Sequence, residues 1–187
     1  MFNKAIIAGI GETPIGKLPD HSVLGLYALA AKAAIEDAGI DWSHVDGLIT
    51  CGSLVDHYPR HALVVAEYLG ICEQMKYVET PQLSGVSPFA GLVNAFRLVE
   101  EGTCQAVLVI ATDKPRTGQS RNDSVNAFAR MRHPEYEQPY GLTNVTAYAL
   151  LAQYHMERYG TTPEQLASVA VTFREHAMKH PKAVYRD

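Results

Sequence analysis

The stretch that decides the fold is Ser84-Gly-Val-Ser-Pro-Phe-Ala-Gly-Leu-Val-Asn-Ala-Phe-Arg-Leu-Val-Glu-Glu-Gly-Thr-Cys-Gln-Ala-Val-Leu-Val-Ile-Ala111. Its apolar residues first recur at helical spacing, which predicts a helix from about Ser87 to Glu101 closed by Gly102. They then run almost unbroken through Gln105–Ala111, the signature of a strand covered on both faces. Upstream, the same alternation repeats. Tyr77 to Thr80 reads as a strand, Arg60 to Leu69 as a helix stopped by Gly70, and Gly47 to Cys51 as another apolar strand. Ser22 is placed to cap an alanine-rich helix over Val23–Ala38 that ends at Gly39. At the start, Lys4 to Ala8 reads as a short buried strand running into Gly9-Ile10-Gly11, and Glu12 to His21, rich in turn formers, as a loop. Strand and helix thus alternate as far as Ala111, which predicts an α/β fold with a parallel-rich sheet and right-handed crossovers.

The character changes after Asp113. Lys114 to Pro139 holds Pro115, Pro134 and Pro139, many charges and little apolar periodicity, as expected of a functional cover or an interface arm. Two helices should follow, about Thr143 to Tyr159 and Pro163 to Lys179. In the second, Thr162 is the N-cap, Pro163 occupies the first position and Glu164 lies in the first turn. Residues 1–113 therefore read as an α/β core, and residues 114–187 as an excursion arm with two helices.

Composition excludes several classes. The 187 residues carry 16 Lys and Arg against 20 Asp and Glu, a net charge of −4, with no basic run of the kind a nucleic-acid surface needs. Hydrophobic residues at 47% and charged residues at 19% are ordinary for a globular chain able to bury a core. Cys51, Cys72 and Cys104 form no disulfide framework or zinc ribbon and read as free thiols in a reducing compartment. No apolar run reaches the ~18 residues of a membrane span. Met1-Phe2-Asn3-Lys4 leads into an apolar run too short for a signal-peptide core, so a cytoplasmic location is expected. The glycosylation-like triplets at Asn122 and Asn144 are accidental on that reading.

Among the motifs, Gly85-Val-Ser87-Pro-Phe89 matches only the first half of a hydrolase nucleophile elbow. The pairs His57/His61 and His176/His180 have helical spacing, but Pro59 interrupts the first and neither holds the intervening Glu of a zinc protease. No metal is expected from them. Gly9 and Gly11 follow the apolar run, but Pro14 stands where a dinucleotide fingerprint needs glycine. What remains is Leu83-Ser84-Gly85-Val86-Ser87 at a strand-to-helix junction. Small residues there permit close backbone approach, and the helix N-terminus favours a thiolate, an oxyanion or a phosphate. A tight packing turn between helix and sheet explains the same residues equally well.

At these residues the sequence resembles the thiolase superfamily, in particular sterol-carrier-protein-type thiolases and thiolase-like proteins. Four segments carry the likeness: Ile10-Gly-Glu-Thr-Pro-Ile-Gly-Lys17 with Glu36-Asp-Ala-Gly39 and Val45-Asp-Gly-Leu48; Ser84-Gly-Val-Ser87 with Ala95, Gly102 and Val107-Leu-Val109; His133 to Gly141 with Ala147 to Leu150; and Tyr159 to Ala167 through Arg174 to Pro181. The resemblance implies the N-terminal half of a layered α-β-α thiolase-type fold with part of its loop region. It also implies acyl transfer through Claisen or retro-Claisen chemistry on acyl-CoA. The CoA thioester is then the substrate, with no further cofactor. Gly85 and Ser87 are implied at the thioester, with Tyr140 and Gly141 as a wall of the acyl pocket. Two departures stand out. Counting back from Gly102 places the family's nucleophilic cysteine on Gly85, and anchoring on Ser84-Gly85 places it on Gln82; neither is a thiol. The second half, with its Gly-His-Pro motif and further cysteine, is not in this sequence. The resemblance further implies a homodimer, with Tyr77–Thr80 and the Lys114–Pro139 arm at the interface. A lyase relative, a CoA-ester retro-aldolase working with an OB-fold companion, is the enzymatic alternative, and a non-catalytic acyl-CoA or lipid binder the other.

Overall fold

The computed structural model describes residues 4–186. They fall into two compact units, residues 4–13 with 18–118, and residues 14–17 with 119–186.

In the first unit a three-stranded parallel sheet is built from β1 (Val45–Thr50), β2 (Tyr77–Glu79) and β3 (Ala106–Ile110), in the order β2-β1-β3. Every residue of the central strand β1 is buried, including Asp46 and Thr50, as a strand flanked on both edges and covered on both faces requires. Helix α1 (Val23–Ala38) and helix α2 (His61–Leu69) cover one face, where Tyr27, Ile35 and Val65 pack with Leu48, Leu108 and Ile110. Helix α3 (Ser87–Glu100) covers the other, where Ala95 and Leu98 meet Ile49, Val107 and Val109. Alternate residues of β3 thus face opposite layers, which is the period-two rule of a strand in a three-layer sandwich. Local signals place the ends. Ser22 accepts from the Gly25 N–H at the start of α1, and Gly39 and Gly70 close α1 and α2 in the left-handed conformation, at φ 63° and 70°.

At its start β1 carries a register shift between Val45 and Gly47. The Asp46 carboxylate there accepts from the Gln105 and Ala106 N–H groups and pairs with Lys76 at 2.9 Å, joining the entrances of β1 and β3.

One expected strand does not form. Lys4–Ala8 pairs with no neighbour, and the segment lies instead along α1. Gly9 and Gly11 explain this, because a Cβ would come within 2.3 Å of the Ala34 carbonyl oxygen and 2.1 Å of the Ala30 one. The Ile10 N–H also donates to Asp37 of α1. Helix contact, not a sheet ladder, holds the segment, and a cavity of about 640 Å³ separates it from β3.

The stretch read as an excursion with little apolar periodicity contains helix α5 (Arg121–Ala129) in the second unit, and helix α4 (Pro115–Gly118) precedes it in the first. The apolar pattern of α5 is weak; a capping box between Ser120 and Asp123 starts it. Helices α6 (Asn144–Tyr159) and α7 (Pro163–Ala177) form where expected, with Thr143 and Thr162 as N-caps. Neither contains a buried residue, and Tyr148, Leu151 and Phe173 stand exposed. Among the described residues no helix is long and apolar enough to cross a membrane.

Candidate functional site

Because the three strands are parallel, their C-terminal ends gather at one edge of the sheet, and the N-termini of α2 and α3 return to that edge. Open α/β sheets bind ligands there. From the end of β2 the chain runs through Pro81 and Gln82 into a short 3₁₀ turn, Ser84–Val86, that opens directly into α3.

Ser84 has φ 53°, the one non-glycine among the described residues in the left-handed region. For a side-chain-bearing residue this costs about 1–2 kcal/mol, and it persists only where neighbouring bonds hold it. Those bonds are present. The Val86 N–H donates to the Leu83 carbonyl, the Ser87 N–H donates to the Ser84 carbonyl, and the Leu83 N–H donates to Ser87 Oγ at 2.9 Å. Ser87 is buried and its oxygen braces the turn. Gly85 is exposed and has open space where a Cβ would sit. Val86, the N-cap of α3, supplies no side-chain bond, so the first N–H groups of the helix have no side-chain cap.

At the same edge of the sheet lies a set of polar clasps. Tyr27 Oη donates to the Cys51 carbonyl, and His61 Nε2 lies 3.1 Å from that hydroxyl. Burial pushes the Tyr27 phenol far above its ordinary range and holds the His61 imidazole below its own, although Asp113 and Asp56 pull His61 the other way. Asp113 accepts from the Ser53 hydroxyl at 2.8 Å and from the Leu54 N–H at 2.6 Å, closing the loop after β1. His61 is therefore a buried hydrogen-bonded residue, distinct from its helical-spacing partner His57, which is exposed.

No thiol stands at the junction. Cys51 directly follows β1 with its thiol pKa raised by burial, Cys72 is exposed on a separate 3₁₀ turn, and Cys104 is buried at the entrance of β3. The sequence-derived candidates divide between the units. Gly85 and Ser87 come together on the turn, while Tyr140, 80% exposed, and Gly141, at φ 66°, belong to the second unit on the turn Gln138–Tyr140. The left-handed conformation of Ser84, the contacts of Thr80 and the pairing of His61 with Tyr27 were not foreseen from sequence. Serine is not a habitual left-handed residue, and the other contacts join segments far apart in the chain.

A three-layer α/β/α unit with a left-handed turn feeding a helix N-terminus at the C-terminal edge of a parallel sheet belongs to the class of open α/β folds, whose ligand sites form at that edge. Comparison with known proteins makes the class specific. Residues 5–187 match the family model described as the thiolase N-terminal domain, and the chain belongs to the thiolase family. It is 31% identical to a steroid side-chain-cleaving aldolase of Thermomonospora curvata, over 96% of this chain and 46% of the relative. It is 28% identical to an acetyl-CoA acetyltransferase of Methanothermobacter thermautotrophicus, again over 96% of this chain and 46% of the relative. Among solved structures it superposes on the Ltp2-ChsH2(DUF35) aldolase with a TM-score of 0.78 at 31% identity, covering 97% of this chain and 45% of the other. The chain thus spans about half the length of the curated relatives it matches.

Proposed function

We propose that this chain is the N-terminal half of an enzyme that makes or breaks a carbon–carbon bond beside a CoA thioester, with the thioester carbonyl seated at Ser84–Ser87. The observation that carries the reading is the held, strained turn at the N-terminus of α3 with open space above Gly85. A thioester carbonyl placed there meets the positive end of the helix dipole and the Ser84 and Gly85 N–H groups, those of Val86 and Ser87 already donating within the turn and Pro88 having none. Both stabilise the negative oxygen of an enolate or a tetrahedral intermediate. Gly85 leaves room for the carbonyl, and Ser87 braces the turn from within. Tyr140 and Gly141 are proposed as the acyl-pocket wall. The thioester is the only CoA-derived group required, and no cofactor enters the scheme. With no thiol at the turn, no acyl-cysteine forms at this position.

That last point favours a second reading, a retro-aldolase. In thiolysis a β-ketoacyl-CoA and free CoA give two shorter acyl-CoA molecules, and a thiol must carry one acyl group in between. In a retro-aldol cleavage a β-hydroxyacyl-CoA loses its hydroxyl proton, the Cα–Cβ bond breaks, and an aldehyde or ketone leaves. The enolate then takes up a proton to give the shortened acyl-CoA, with no acyl-enzyme. The 31% identity to a steroid side-chain-cleaving aldolase supports this route, and the Ltp2-ChsH2(DUF35) likeness supports a companion subunit for it. Homodimer assembly is proposed through β2, which pairs on one side only, together with residues 114–139. Three thiols without disulfide partners support a cytoplasmic setting.

The test uses the full-length protein with two substrates. Consumption of free CoA with a β-ketoacyl-CoA supports the acyltransferase; release of a carbonyl compound from a β-hydroxyacyl-CoA without free CoA supports the lyase. Tight acyl-CoA binding with neither reaction leaves a binding subunit, and no binding overturns the proposal.

A further inference from the structure

We propose that Thr80 is a positioning residue for the Ser84–Ser87 turn, an inference that rests on the function proposed above. The turn has two anchors. On the helix side the anchor is Ser87, whose Oγ accepts from Leu83. On the strand side the chain has just left β2, and Thr80 is the last residue before Pro81.

The Thr80 hydroxyl is engaged twice. It accepts from the Ala62 N–H at 3.1 Å and lies 3.3 Å from the hydroxyl of Thr50, the fully buried last residue of β1. Ala62 is at the N-terminus of α2, and Arg60 in the N-cap position gives that helix no side-chain bond. Thr80 therefore does for α2, from a different element, what a cap residue ordinarily does locally. The helix start that it holds is itself buried and hydrogen-bonded. The first residue of α2, His61, is 3% exposed and is fastened through Tyr27 to the Cys51 carbonyl. One hydroxyl thus joins the ends of β1 and β2 to a fixed helix terminus.

Between Thr80 and Ser84 stand only Pro81, Gln82 and Leu83, and proline contributes no free φ. Movement of Thr80 is passed to Ser84 through three residues, the first of them the proline. A left-handed serine relaxes when one of its anchors is released, and the Ser84 and Gly85 N–H groups then turn away from the thioester oxygen. Thr80 touches no substrate in this scheme and acts through the turn.

The experiment compares octanoyl-CoA with S-octyl-CoA, the thioether that lacks the carbonyl, by calorimetry on the full-length protein. Thr80→Val is expected to weaken octanoyl-CoA binding by roughly three- to tenfold, the scale of one misplaced hydrogen bond. S-octyl-CoA affinity should be unchanged, and Thr80→Ser should restore the preference for the carbonyl. A lower melting temperature with the carbonyl preference intact overturns the role. If Thr80→Val does not fold, Thr80→Ala carries the same comparison. If no hydroxyl-free variant folds, Thr80 is structural and the proposal falls. A wild-type protein that does not prefer the carbonyl ligand refutes the placement of the thioester itself, and the role of Thr80 with it. A preference kept by Thr80→Val refutes only the role of Thr80.

Discussion

His61 Nε2 stands 3.1 Å from the Tyr27 hydroxyl, and the single phenolic proton is already given to the Cys51 carbonyl. The phenol oxygen must therefore accept, which assigns the His61 proton to Nε2. Burial is the largest influence on this imidazole and lowers its pKa, against the pull of Asp113 and Asp56. When the folded state holds the pKa down, the unfolded chain binds the proton more readily. The contribution is whole above the unfolded value of about 6.5 and is lost as the pH falls through the folded one. Melting temperature should be level near pH 7 and decline toward pH 5. His61→Gln, which retains a donor to Tyr27, should give a shallower decline. An unchanged slope in that variant would remove His61 as the cause.

Tyr27→Phe deletes the bridge between Cys51 and His61 and leaves a partly buried carbonyl and a buried imidazole N–H without their partner. A loss of about 1–3 kcal/mol in chemical denaturation is expected. A loss well under 1 kcal/mol would mean that water replaces the phenol.

Glycine substitutions should separate packing from ligand access. A Cβ on Gly91 would lie 2.9 Å from Ile49 Cγ2 and 3.2 Å from Val109 Cγ1, between α3 and the sheet. Gly91→Val should destabilise by roughly 1–3 kcal/mol through overpacking. Gly85 has nothing within 4 Å of its Cβ position and no positive φ. Gly85→Leu should melt like the wild type yet lose octanoyl-CoA binding, whereas Gly85→Cys should keep it. Normal binding by a folded Gly85→Leu protein would place the thioester elsewhere.

The three thiols should differ sharply in reactivity. Burial raises the pKa of Cys51 and also that of Cys104, where the Asp46 charge adds to the effect. Cys72 is exposed. Iodoacetamide should label Cys72 first and Cys104 last, and incubation with acetyl-CoA should leave the intact mass unchanged. A stable 42-dalton adduct, the mass of an acetyl group in place of hydrogen, on any of the three would show that an acyl-cysteine does form.

At the other end of the sheet, Asp46 is 6% exposed yet has a lowered pKa. Burial opposes its ionisation, but the Lys76 ammonium and the Gln105 and Ala106 N–H groups together outweigh it. Asp46→Ala should cost about 1–3 kcal/mol, because two strand-entrance N–H groups lose their acceptor. Asp46→Asn, which keeps an acceptor, should cost less. Equal losses would show that the charge, and not the N–H bonds, is what matters.

The sequence by itself determined the elements whose signals are local. Ser22 and Gly39 bounded α1, Gly70 stopped α2, the short apolar stretch from Gly47 marked β1 and the unbroken apolar run marked β3, because caps and two-sided burial are written within a few residues. The family likeness was also legible, since it rests on the order of many short motifs. Local pattern misled where a distant partner decided the conformation. Lys4–Ala8 has the composition of a strand, but Gly9 and Gly11 bring the segment against the α1 backbone, and only the fold supplies that helix. The short helix α5 was hidden because its apolar periodicity is weak and its start depends on a Ser120–Asp123 exchange of hydrogen bonds. At the candidate site, Gly85 and Ser87 could be found from their small size beside a helix start. Left-handed Ser84 could not, because a serine enters that conformation only when Leu83, Ser87 and the chain on either side compel it. The grip of Thr80 on Ala62 and Thr50 spans 18 and 30 residues, and contacts at such separations exist only once the sheet has brought its strand ends together.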